Sequence, residues 1–195
     1  MDSEKILSPE ESLRLIANVV SSTKENYKSQ SVFFILWGTL VAAASFGQYA
    51  LINFSDIRPT ALPWMILMPI GVLLSIYFGK KQSSERKTLT FYNNFLNTMW
   101  LVLYVAFFLT IVICLNSHIQ PTAFIMLLAG IGTSISGFVM KSKAFIAGGI
   151  LFAVAALACL QVDSSTQLLF SGIASLLGYV LPNYFLTSKS VENVQ

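Results

Sequence analysis

The sequence predicts an all-α integral membrane protein, a helical bundle with six transmembrane helices arranged as three antiparallel hairpins and an N-terminal amphipathic cytoplasmic helix. Three observations support this prediction. Hydrophobic residues make up 55% of the 195-residue chain. Charged residues make up only 11%, against about 25% in an ordinary soluble domain. The charged residues also fall in short clusters that six long uncharged apolar runs separate. This composition excludes a disordered chain, a coiled coil and a soluble enzyme domain.

The N-terminal segment, residues 1–31, is predicted to form the cytoplasmic amphipathic helix. Ser8 can cap a helix that begins at Pro9, and Glu11 can complete a capping box with it. The helix either lies on the inner membrane surface and the loops of the bundle, or docks a soluble partner or a second protomer. Its apolar face consists of Leu13, Ile16, Ala17, Val20 and Tyr27.

The six apolar runs form the transmembrane domain, residues 32–187, and residues 188–195 form a tail. A helix needs about 20 apolar residues to cross about 30 Å of hydrocarbon. Only helices fit, because lipid offers no hydrogen-bond partner to an open backbone. The short connections predict that consecutive helices are antiparallel. The predicted spans are 32–52, 61–79, 95–115, 122–140, 144–160 and 168–186.

The distribution of basic residues predicts the orientation. Of the 12 lysines and arginines, all but Arg58 fall on the side of the chain termini. Because cytoplasmic loops carry an excess of basic residues, we expect a multi-pass protein of the cytoplasmic (inner) membrane with both termini cytoplasmic. The basic stretch 80–87 fits this rule and can contact anionic headgroups. It is a poor candidate for binding nucleic acid.

Two of the hairpins have similar sequences, which suggests an internal repeat. Pro59 and Pro121 each begin a Pro-Thr-Ala tripeptide, and each opens a stretch of 23 residues that ends in a lysine. Such matches arise easily between apolar segments, so the repeat is a hypothesis of tandem hairpins in the same orientation. The preceding spans share a 16-residue spacing, in the pairs Trp37–Asn53 and Trp100–Asn116.

Small residues at spacings of three and four mark the expected helix contacts. In lipid, helices associate where small side chains let their backbones approach closely. The predicted spans 4, 5 and 6 should therefore form the most closely packed part of the bundle. The candidate packing residues are Gly130, Ser134 and Gly137 in span 4, Gly149 and Ala153 in span 5, and Ser171, Ser175 and Gly178 in span 6.

Two prolines inside the spans are candidate kink and solute positions. Pro69 should free the carbonyl of Met65, and Pro182 that of Gly178. A freed carbonyl can coordinate a solute, or it can be satisfied by a neighbouring helix or by water.

Residues for catalysis or metal binding are not apparent in the sequence. No carboxylate lies inside a predicted span, so the usual buried acid of an ion-coupled pump is missing. The single histidine, His118, falls in a loop. Cys114 and Cys159 could pair only if spans 3 and 5 are adjacent at that depth, and otherwise they are small apolar residues. We therefore expect no enzyme activity, no cofactor and no metal.

The opening of the chain resembles a group of small bacterial inner-membrane proteins. The resemblance rests on Ser8-Pro9-Glu10-Glu11, on Thr23-Lys24 and on Trp37-Gly38 at the entry to span 1. The layout of three hairpins is also similar to the acid-resistance family of six-helix membrane proteins. The resemblance implies a polytopic inner-membrane protein and supplies no activity.

Two functional hypotheses follow. The first is a non-enzymatic scaffold or regulatory subunit that binds a soluble or membrane protein through its N-terminal helix and remains compatible with a homo-oligomer. The alternative is a carrier or channel for a neutral or hydrophobic solute that uses the kinked helices 2 and 6. In both hypotheses the lipid bilayer is the principal partner.

Overall fold

The structure, a computed structural model, describes the backbone of residues 9–85 and 91–183 and the side chains of residues 31–81 and 94–183. Every regular element in this part of the chain is a helix, which confirms the all-helical prediction there. A π-helical turn, Leu176–Val180, continues the last helix. The helices are α1 (Pro9–Phe54), α2 (Leu62–Glu85), α3 (Phe91–Asn116), α4 (Thr122–Val139), α5 (Lys143–Cys159) and α6 (Ser164–Ser175).

Five of these helical segments are long and apolar enough to cross a membrane. They coincide with the predicted spans 1, 2, 3, 4 and 6 and support a membrane protein. Helix α5 is equally apolar but has 17 residues, so a sixth crossing stays a prediction. The last of these segments extends over Ser164–Asn183. It begins four residues before the predicted start at position 168.

Helix α1 is longer than the predicted first span. Its 46 residues include both the predicted N-terminal helix, from Pro9 onward, and the span as far as Phe54. The chain does not turn between the two segments. The side chains of residues 9–30 lie outside the described residues, and so do Ser8, the stretch 86–90 and the tail 188–195. The amphipathic character of the N-terminal helix and the domain boundary at position 31 therefore stay predictions.

The helices do not all pack equally. Helix α4 packs on α3 and α5, and α6 with its π turn packs on α5 and α1. Helix α2 packs on α1 and makes no comparable contact with α3 within the described residues. The two helices of each predicted hairpin are thus in contact. The most extensive packing, however, joins two different hairpins, at α4 and α5.

The connections on either side of α4 end their helices in the same way. His118 and Lys141 adopt left-handed backbone conformations, with φ of 56° and 52°. The amide of Ile119 donates to the carbonyl of Cys114, and that of Ser142 to the carbonyl of Gly137, both at 2.8 Å. These bonds satisfy carbonyls that would otherwise be open at a helix end. They reverse the chain within a few residues and place α4 next to α3 and α5.

Candidate functional site

The first hairpin is held at one end by a tryptophan that lies over a glycine. A Cβ atom on Gly71 of α2 would lie 2.8 Å from Leu40 and 3.3 Å from the Trp37 ring of α1. The indole N–H of Trp37 donates to the Ser75 hydroxyl at 3.1 Å. The absence of a side chain at position 71 leaves room for Leu40 and Trp37 of α1 to pack on α2.

The second hairpin repeats this contact with equivalent residues. A Cβ on Gly132 of α4 would lie 2.5 Å from Leu103 and 3.2 Å from the Trp100 ring of α3. The indole N–H of Trp100 donates to the Ser136 hydroxyl at 3.2 Å. We call this arrangement the Trp–Gly–Ser contact. Its occurrence in both hairpins gives a structural counterpart to the repeat suggested by the sequence.

The small residues predicted on spans 4 and 5 face one another. A Cβ on Gly130 would lie 2.8 Å from the carbonyl oxygen of Gly149 and 3.3 Å from the amide of Ala153. One on Gly149 would overlap the Ser134 hydroxyl and lie 2.7 Å from the Ser134 amide. A Cβ on Gly137 would likewise lie 2.6 Å from the amide nitrogen of Ile146 in α5. Backbones lie against backbones along this interface, although the role of these residues in holding the bundle stays a prediction.

The small residues predicted on span 6 divide between two neighbours. Ser171 accepts a hydrogen bond from Ser45 of α1 at 3.2 Å, and the backbone oxygen of Ser175 lies 3.2 Å from a Cβ built on Gly38 of α1. Gly178 instead faces α5. Span 6 therefore packs on span 1 as well as span 5, a neighbour that the sequence did not indicate.

Aromatic side chains fill the space enclosed by α1, α3, α5 and the π turn. The Phe34 ring lies 4.5 Å from Phe145, 5.5 Å from Tyr179 and 5.7 Å from Trp100, measured between ring centroids. Phe152 lies 4.7 Å from Tyr179, whose side chain is buried. Phe34, Phe145 and Tyr179 could not be singled out from the sequence, because aromatic residues are frequent throughout these spans.

The π turn lies immediately before Pro182. A π turn adds one residue to a helix and occurs frequently at functional sites. The carbonyl oxygen of Gly178, which Pro182 was predicted to free, lies 2.5 Å from a Cβ built on Gly148 of α5. Backbone of α5 therefore covers it. Asn183 is also buried, and its amide donates to the carbonyl of Tyr179 at 2.7 Å.

The other candidate proline, Pro69, lies far from this core. It is exposed on α2, and α2 continues as a helix on both sides of it. The two prolines therefore do not form a common site. A surface groove of about 340 Å³ lies elsewhere, between α3 and α4, and includes neither proline. Its lining is apolar apart from one threonine and consists of Phe95, Thr98, Met99, Val102, Leu103 and Ile135.

Some of the remaining polar side chains join two helices. Gln48 accepts from the Trp64 indole at 2.7 Å, and Asn53 donates to Ser165 at 2.7 Å. Cys114 and Cys159 are both free thiols, and the Cys159 sulfur instead lies 3.7 Å from that of Met126. Within the described residues, histidine, cysteine and acidic side chains form no group of three that could hold a metal ion.

Asp163 caps the N-terminal end of α6. One carboxylate oxygen accepts from the amides of Ser165 and Thr166 at 2.9 and 3.0 Å, and the other accepts from the Thr166 hydroxyl at 2.6 Å. The hydrogen bond from the Thr166 side chain, followed by those from backbone amides, lowers the pKa of this exposed carboxyl below its ordinary value.

The chain matches no protein family, no curated protein and no solved structure.

Proposed function

We propose that this chain is a multi-pass protein of the cytoplasmic membrane, with both termini in the cytoplasm, that acts as a non-enzymatic scaffold or regulatory subunit. Its soluble-side binding element is the N-terminal part of α1. The observation that carries the proposal is the continuity of α1 from Pro9 to Phe54. The membrane-crossing part accounts for residues 31–54, so residues 9–30 extend the same helix by about 33 Å at 1.5 Å per residue.

A continuous helix of this kind suits a binding role. A bound partner would be held at a fixed distance and angle relative to the bundle, because no loop separates its binding surface from the span. The segment 9–30 carries both acidic and basic side chains, which is more typical of protein recognition than of a basic, lipid-seeking helix. The aromatic core formed by Phe34, Phe145 and Tyr179 also favours a rigid bundle.

The experiment compares proteins that co-purify with three forms of the chain from its native membranes. The forms are the full chain, a deletion of residues 2–28 and a control deletion of the tail, residues 188–195. We expect a defined set of partners to be lost with the first deletion and retained with the second. Recovery of the same partners from the chain lacking residues 2–28 would refute the proposal.

A further variant tests whether the continuity itself matters. Gln30→Pro should break the helix at the membrane boundary, because proline removes an amide donor and clashes with the preceding turn, while Gln30→Ala should not. We expect partner recovery to fall with Gln30→Pro only. Equal recovery with both variants would show that the segment binds without being held rigidly by α1.

A carrier or channel for a neutral or hydrophobic solute is the second candidate, and the π turn beside Pro182 favours it. The test is glycerol flux into proteoliposomes, with protein-free liposomes as the control. The candidate predicts protein-dependent flux that falls with Pro69→Ala or Pro182→Ala. Flux that equals the control, or that both variants leave intact, would refute this mechanism.

A further inference from the structure

The side of the bundle between α2 and α3 differs from its other sides because large side chains occupy the positions where α4 carries small ones. Gly71 and Gly132 are equivalent in the two Trp–Gly–Ser contacts, which sets a 61-residue offset between α2 and α4. By this offset Gly130, Ser134 and Gly137, which lie against α5, correspond to Pro69, Leu73 and Ile76. All three are exposed, Leu73 to 67%.

The facing side of α3 is equally bulky. The apolar groove between α3 and α4 shows which face of α3 is turned toward α4. Another face is turned toward the first hairpin, because the Tyr104 ring of α3 lies 5.8 Å from the Trp37 ring of α1. Residues three and seven positions apart share a helix face, so Leu101 and Phe108 lie with Tyr104. These side chains are 64%, 66% and 43% exposed, respectively.

Large side chains on both helices explain why α2 and α3 stay apart. Close helix packing in lipid requires small residues that let backbones approach, and neither face has them. The result is a gap, which we call the α2–α3 gap. Its floor is the pair of rings Trp37 and Tyr104, and its sides are the exposed side chains of the two helices. A partner helix would meet the same steric obstacle, whereas acyl chains can adapt to an irregular apolar surface.

Positive charge lies at one end of the gap. Lys80 and Lys81 are exposed at the end of α2, and Lys80 follows Ser75, the hydrogen-bond partner of Trp37, by five residues. The two therefore lie about 7.5 Å apart along the helix axis. A phospholipid places its phosphate and its acyl chains in that order. Lysine attracts anionic headgroups electrostatically, so the charge at this end selects an anionic lipid.

We propose that the α2–α3 gap binds an anionic phospholipid, with its phosphate at Lys80 and Lys81 and an acyl chain along the floor formed by Trp37 and Tyr104. The other basic pair on the described part of this side, Lys141 and Lys143, lies where α4 and α5 are packed together. It has similar charge but no adjacent gap, and so provides a matched control.

The experiment uses fluorescence quenching of Trp37 in vesicles. Trp64→Phe and Trp100→Phe leave Trp37 as the only tryptophan. The chain is reconstituted with a small, equal mole fraction of brominated-acyl phosphatidylglycerol or brominated-acyl phosphatidylcholine in a phosphatidylcholine background. We expect about twofold or greater quenching by the anionic lipid relative to the zwitterionic one. Lys80→Gln with Lys81→Gln should remove this difference, and Lys141→Gln with Lys143→Gln should retain it.

Equal quenching by the two lipids would overturn the proposal. So would equal loss of selectivity with both lysine pairs, because that result would indicate a general surface potential. Native mass spectrometry of the chain with all three tryptophans provides a second measurement if the single-tryptophan form does not fold. It should retain phosphatidylglycerol over phosphatidylcholine, and the advantage should disappear only when Lys80 and Lys81 are replaced.

Discussion

Two sides of this bundle, the interface between α4 and α5 and the gap between α2 and α3, use similar helices and reach opposite results. Inside the first two hairpins the Trp–Gly–Ser contact is the same. Between hairpins, glycine, serine and alanine let α4 and α5 touch through their backbones, whereas Leu73 and Phe108 remain exposed. Buried residues make up 44% of the α4 span and 6% of the α2 span.

Apolar character does not decide which helices associate here. Both sides are strongly apolar, and lipid solvates apolar side chains as well as another helix does. Side-chain size decides, because only small residues allow dense packing and backbone contact. The larger side chains on α2 and α3 are instead available to lipid.

The largest expected effect comes from adding one methyl group to the α4–α5 interface. Gly149→Ala should reduce the free energy of unfolding by about 1–3 kcal/mol, because the new Cβ would meet the backbone of Gly130 and Ser134, which cannot move aside easily. The measurement is unfolding in mixed detergent micelles followed by circular dichroism.

Gly79→Ala is the matched control, since nothing lies within 4 Å of a Cβ at that position of α2. It should be neutral or slightly stabilising, because alanine favours a helix by about 1 kcal/mol over glycine. If the two variants were equally stable, the close approach of α4 and α5 would be disproved.

A smaller effect is expected from each tryptophan of the repeated contact. Trp37→Phe and Trp100→Phe each remove the indole hydrogen bond to a serine, at 3.1 and 3.2 Å. Each should cost about 1 kcal/mol in the same unfolding measurement. Similar losses would support equivalent roles of the two contacts, and a difference above about 2 kcal/mol would contradict that equivalence.

The smallest effect concerns the N-terminal end of α6, a helix that packs on α1. Because its folded-state pKa is lowered, Asp163 stabilises the fold at pH values above the ordinary pKa of an aspartate. This contribution decreases as the pH falls through the lowered folded-state pKa. Asp163→Ala should therefore lower the unfolding temperature slightly at neutral pH, and the difference from the natural chain should shrink in acid. A difference that is constant with pH would show that the ionised cap contributes nothing.

Much of the helical architecture could be predicted, because a membrane imposes a length and an apolar composition on any crossing segment. The small residues of α4 and α5 were chosen from their spacings of three and four, since helices in lipid associate through small side chains. The spacing of Trp37 and Trp100 in their spans also suggested a repeat, and the Trp–Gly–Ser contact occurs in both of these hairpins. Each of these features depends on residues that are close together in the sequence.

Features that depend on contacts between distant residues could not be predicted. The aromatic rings around Phe34 come from α1, α3, α5 and the π turn. The spacing of apolar residues along the sequence does not reveal which of these rings will meet. The π turn before Pro182 lies against both α1 and α5, which are distant in the sequence. The α2–α3 gap follows from the combined volumes of side chains such as Leu73 and Phe108. Which side chains face each other across the gap becomes known only when the helices are placed.

Cysteine cross-linking in the membrane tests the contrast between the two sides most directly. Cys114 and Cys159 are first replaced by alanine. Ser134→Cys with Ala153→Cys probes the α4–α5 interface, and Leu73→Cys with Phe108→Cys probes the α2–α3 gap. We predict that a short bifunctional thiol reagent links the first pair efficiently and the second poorly. Efficient linking of the second pair, or failure of the first, would contradict the account of one closed and one open side.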